Sequence, residues 1–77
     1  MKRIPDSVEL LEKLFRIAKF SKKQMQDIIQ KQYGAATLQA LNSVDLSDAI
    51  ESIAYVIDTL YGNKTLRTAL YGEQEDK

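Results

Sequence analysis

Asp45, Asp48 and Glu51 fall three residues apart in VDLSDAIES, so on a helix their carboxylates share one side. Such a run offers oxygen donors to a hard cation, or acid/base partners to a substrate. Acidic residues are also what the start of a helix favours, because its unpaired N–H groups and the positive end of its dipole attract negative charge. That second account is the simpler, and the remaining inventory supports it. The chain has no cysteine and no histidine, which removes disulfides, thiolate and imidazole metal sites, and the Cys–His and Ser–His–Asp nucleophile systems. It contains no phosphate-cradling glycine loop or dinucleotide fingerprint, and Gly34, Gly62 and Gly72 all fall where helices would end. The expectation is a protein that is not an enzyme, with no cofactor and no metal.

Two groups of residues suit binding instead. Asp48, Glu51, Tyr55 and Asp58 follow the steps of a single helical stripe, away from the face that Ile50, Ile53 and Ile57 would share. An aromatic ring framed by carboxylates is a candidate protein-binding patch, since tyrosine is enriched in contact surfaces. Lys19, Lys22 and Lys23 cluster just beyond Arg16, and these four form a basic corner suited to the phosphates of a nucleic acid. An ordinary solvated surface would also accommodate either group. The net charge of zero conceals a division. Residues 1–35 hold eight basic and four acidic side chains and residues 36–77 hold three and seven, or +4 against −4. A dipolar chain favours an oriented partner or head-to-tail self-association over the uniformly basic surface of a strong DNA binder.

Those side chains need helices to hold them, and 77 residues suffice for one domain with a small core. Asp6 is placed to cap a first helix over about 6–19, with Glu9 at its third position. Val8, Leu11, Phe15 and Ala18 then form one stripe with Leu10, Leu14 and Ile17 beside it, and Glu9–Lys13 and Glu12–Arg16 are spaced for ion pairs on the other side. Ser21 and Gln24 make a capping box for a second helix over 22–33, in which Met25, Ile28, Ile29 and Tyr33 recur at helical spacing until Gly34 ends it. A short third helix over 36–42 turns Leu38 and Leu41 inward and closes at Asn42 and Ser43. Asp45 or Ser47 starts a fourth, lined by Ile50, Ile53, Ile57 and Leu60 with Leu46, Ala54 and Tyr61 beside them, and Gly62 ends it. Asn63 caps a last helix over 64–71 that buries Leu66, Ala69 and Leu70.

The fold class is therefore all-α, a compact bundle of four to five helices making one domain over 1–72, with 73–77 a mobile acidic tail. Pro5, Asp6, Glu9 and Glu12 interrupt the basic opening before a signal sequence forms. Nothing approaches the roughly 20 apolar residues of a membrane span. A cytoplasmic protein with no membrane partner is expected.

Tyr-Gly occurs twice with Thr-Leu close behind it. YGAATLQAL and YGNKTLRTAL are offset by 28 residues, and at that offset Met25 matches Ile53, Ile28 matches Val56 and Ile29 matches Ile57. Duplication and convergence on common helix-end residues both account for this. Either way, each unit reads as a longer amphipathic helix, a glycine reversal and a short helix folding its leucines back.

Around the first unit, in FSKKQMQDIIQKQYGAATLQALNSVDLSDAIESI (20–53), a capped helix with Ile28 and Ile29 runs into Gly34 and a short helix with Leu38 and Leu41. A polar cap and a helix with Ile50 and Ile53 follow. This cadence resembles the small helical module of GemA-type phage regulators and of some phage recombination proteins. The resemblance implies a phage or mobile-element setting and a regulatory or accessory role beside DNA transactions, and it assigns no individual functional residue. Residues 54–72 fall outside it. The resulting expectation is a non-catalytic protein-binding module. Its rival is a DNA-binding transcriptional or recombination regulator using residues 16–23 and the last helix. A homodimer joining the acidic and basic surfaces is permitted by the charge layout.

Overall fold

Ser7, in extended conformation, accepts the N–H of Leu10 on its hydroxyl at 3.1 Å and starts α1, Val8–Ile17, in the computed structural model, which describes residues 4–72. A serine hydroxyl satisfies an otherwise unpaired helix N–H, so the cap lies one residue beyond Asp6 and Glu9 moves to the second helical position. The helix ends without a glycine. Lys19 takes φ 69° in the left-handed region. Its N–H donates to the Arg16 carbonyl and the Phe20 N–H reaches back to the Phe15 carbonyl, each at 3.0 Å. Those two bonds are the paired closure that a left-handed residue permits, and they leave the Phe15 and Phe20 rings 5.5 Å apart.

The capping box forms as its spacing predicts. Gln24 donates its N–H to Ser21 Oγ at 3.1 Å, Ser21 donates its own to Gln24 Oε1 at 2.9 Å, and α2 runs Lys22–Tyr33. Gly34 closes it in the left-handed helical conformation, φ 70° and ψ 15°. Beyond it the expected helix over 36–42 shrinks to one 3-10 turn, Leu38–Ala40. So short a stretch cannot offset the cost of nucleating an α-helix, and the next element takes Asn42. The Asn42 side chain accepts the Asp45 N–H at 2.8 Å and starts α3, Ser43–Tyr61. Asn42 thus opens the long helix instead of closing the short one, and neither Asp45 nor Ser47 is the cap. Leu38 is buried and Leu41 half-buried all the same.

Gly62 reverses the chain within one residue at φ 97° and ψ 161°, so α4, Asn63–Tyr71, follows α3 directly and Asn63 is its first residue, not its cap. The two Tyr-Gly steps therefore differ in kind. The first uses a conformation that asparagine also visits, and a loop follows. The second uses one that is essentially restricted to glycine, and a helix follows at once.

The core draws Leu10, Leu11, Leu14 and Phe15 from α1, Met25 and Ile29 from α2, Ala49, Ile50, Ile53 and Ile57 from α3, and Ala69 from α4. Central α3 packs against α1 and α4, which also touch each other. Lys13 crosses to α4, where its Nζ donates to the Ala69 carbonyl at 3.3 Å instead of pairing along its own helix, and the Ile4 N–H donates to the Leu70 carbonyl at 2.7 Å. Both satisfy carbonyls that the end of a helix leaves open. Leu60, expected inward, is 64% exposed, and Tyr61 41%. The last turn of α3 thus leaves Leu60 and Tyr61 largely in water although α4 packs against the same helix. No helix among the described residues is long and apolar enough to cross a membrane. The tail expected at 73–77 lies outside the described residues.

Candidate docking surface

Because Ala49, Ile50, Ile53 and Ile57 fix the inner side of α3, the rotation of 100° per residue puts Val44, Asp48, Glu51, Tyr55 and Asp58 on its outer side. All five are solvent-accessible, Val44 at 74% and Tyr55 at 72%. The helix contains Asp45, Asp48, Glu51 and Asp58 and no lysine or arginine. Its outer face is thus a line of about 21 Å bearing two apolar groups among three carboxylates.

Asp48 has a further task. It accepts the Tyr33 hydroxyl on Oδ2 at 2.6 Å and so ties the end of α2 to the start of α3. Burial, reinforced by this bond and by the Asp48 charge, pushes the Tyr33 hydroxyl from 10.0 up to about 12. Glu51 and Asp58 are left as the carboxylates that frame Tyr55. Sequence reasoning puts Tyr33 among the inward residues of α2 and does not couple it to Asp48. The two are 15 residues apart on different helices, and no local pattern links them.

Arg16, Lys19, Lys22 and Lys23 are all solvent-accessible where α1 passes into α2. The fold brings two of them onto one feature, a hollow of about 370 Å³ lined by Glu12, Phe15, Arg16, Phe20, Lys22 and Met25. Phe15, Phe20 and Met25 give it an apolar floor, while Arg16 and Lys22 supply cations at the rim. Lys19 and Lys23 lie outside the lining.

Charge placement along the helices is unusual at both surfaces. Lys22 and Lys23 occupy the first turn of α2, which carries no acid, and Asp58 occupies the last turn of α3, which carries no base. Lys22 and Lys23 stand against the α2 dipole and Asp58 against that of α3, while the adjoining C-terminus of α1 and N-terminus of α4 act in the opposite sense.

The other hollows are less specific. A cleft of about 200 Å³ between α2 and α3 is walled by Phe20, Ile28, Ile53 and Val56, and Tyr33 is the one titratable group in its lining. Another, of about 460 Å³, is bordered by Lys13, Lys64, Thr65 and Thr68, with Lys13 already engaged by the Ala69 carbonyl. Among the described residues no three acidic, histidine or cysteine side chains gather as a metal site would require.

These features define a small all-α bundle with an acidic aromatic face on one helix and a basic-rimmed apolar cup between two others. The chain matches no family model, no curated protein and no solved structure.

Proposed function

We propose that this protein is a non-catalytic binding module that docks another protein on the outer face of α3. Tyr55 carries the reading, because it is 72% exposed on the side opposite the core and framed by Glu51 and Asp58. A tyrosine there adds nothing to the core, whereas covered by a partner it offers a large rigid contact with few rotamers to freeze. The resemblance of residues 20–53 to the GemA-type module supports a phage or mobile-element setting and a regulatory role. A photoreactive benzoylphenylalanine at position 55, introduced in cells of origin, tests the reading. It should form a discrete protein adduct that the same group at exposed Gln30 of α2 does not. The absence of an adduct at 55, or identical adducts at both positions, would refute it.

One observation favours a second reading, DNA binding through Arg16, Lys19, Lys22 and Lys23. Phosphates would relieve the two lysines set against the α2 dipole. That reading requires duplex DNA binding that weakens steeply with salt and disappears in the Lys22→Glu, Lys23→Glu variant. No complex at low salt removes it.

A further inference from the structure

We propose that the partner fitting the Tyr55 face is a second copy of this chain, whose cup between α1 and α2 receives the Tyr55 ring. This rests on the docking reading above and adds the identity of the occupant.

The two surfaces are complementary in chemistry. One presents an aromatic ring with Glu51 and Asp58 to either side. The other presents an apolar floor of Phe15, Phe20 and Met25 beneath Arg16 and Lys22, with room for a ring in about 370 Å³. Glu12 is the one acid in its lining and lies a turn before Arg16 on α1. They are complementary in charge as well, since α3 has four acids and no base while three lysines and an arginine stand around the α1–α2 turn.

The positions of these charges along their helices add a third observation. Lys22 and Lys23 oppose the α2 dipole and Asp58 opposes that of α3. Docking brings Asp58 and Glu51 of one copy to Arg16 and Lys22 of the other, so one contact relieves both placements. Each copy carries both surfaces. A pair in which each ring enters the other's cup closes as a two-fold dimer, and a ring entering one cup only propagates as a chain.

Sedimentation velocity of the full chain over a wide concentration range, at low and high salt, tests this. Self-association is expected, weakened by salt and weakened roughly tenfold or more by Tyr55→Ala. Glu51→Lys with Asp58→Lys should be monomeric, as should Lys22→Glu with Lys23→Glu. An equimolar mixture of the two should associate again, because a cationic stripe then meets an acidic rim and the original acid-to-base contact is also present. Asp58→Lys, Lys22→Glu and Lys23→Glu put charge where the helix dipoles favour it, and circular dichroism of each variant verifies its helix content. A wild-type chain monomeric at every concentration in low salt overturns the proposal. So does association indifferent to Tyr55→Ala, or a mixture that stays monomeric. The position-55 crosslink tests docking separately, so a monomer that still captures a foreign protein there sinks self-docking alone.

Discussion

Replacing Lys19 by glycine changes one torsional preference and one exposed charge. Lys19 is the non-glycine residue with positive φ among the described residues, at 69°. An L-residue in that region costs roughly 1–2 kcal/mol. Glycine carries no such cost but loses roughly 0.5–1 kcal/mol more chain entropy on folding. The lysine charge lies between the C-terminus of α1 and the N-terminus of α2, whose dipoles act on it in opposite senses, so its removal cancels to first order. The balance lies between about zero and a stabilisation of about 1.5 kcal/mol, which in a domain of this size raises Tm by up to about 12 °C. A β-branched residue at the same place, Lys19→Val, should lower stability by a similar amount. Thermal and urea unfolding followed by circular dichroism read both. If glycine lowers Tm, or if valine and glycine behave alike, α1 does not close through a left-handed residue at 19. The Phe15–Phe20 floor of the cup would then be misplaced.

Tyr33 and Asp48 give a pH dependence of defined sign. The neutral hydroxyl is favoured in the folded state, with its value raised from 10.0 to about 12. The stabilisation is therefore fully present below pH 10 and is lost as pH climbs through about 12. Tyr33→Phe should cost about 0.5–1.5 kcal/mol at neutral pH and flatten this alkaline loss relative to wild type. Parallel alkaline melting curves for the two proteins would show that the bond contributes nothing. The glycines make a paired comparison, since an added Cβ meets nothing within 4 Å at either Gly34 or Gly62 and only the backbone conformation decides. Gly34→Asn should cost under about 1 kcal/mol, and Gly62→Asn about 1–3 kcal/mol, read by urea unfolding. Equal costs would contradict the difference between the two Tyr-Gly steps.

Where a signal in the sequence is local, it is legible. The Ser21–Gln24 box and Gly34 lie within one turn of the ends they define, and α2 begins and ends where they place it. Caps are harder because neighbouring residues compete for one slot. Ser7 stands beside Asp6, and Asn42 precedes Asp45 and Ser47, so spacing alone does not choose among chemically equivalent candidates. Leu38 and Leu41 announce burial but not helix, since inward spacing says nothing of whether a segment is long enough to nucleate. Leu60 escapes the pattern for a related reason. Helical rotation tells which side a residue faces, while its cover depends on where the neighbouring helices lie. The Tyr55 stripe needs a single helix and can be read from spacing. The cup needs α1, its left-handed exit and α2 together, so only half of the basic corner, Arg16 and Lys22 among four residues, ends on one feature.

Folding accounts for one side of each helix and leaves the other side free. Central α3 buries Ile50, Ile53 and Ile57, and that burial would be as well served by any polar outer face. A face chosen for stability alone would carry lysines toward its C-terminus, and α2 would carry acids at its start. This chain does the reverse at Asp58, Lys22 and Lys23, and sets Tyr55 and Val44 in water besides. Each choice alone is small. Together they separate charge by sign onto two surfaces, an arrangement that the isolated fold does not require and that the proposed self-docking would use.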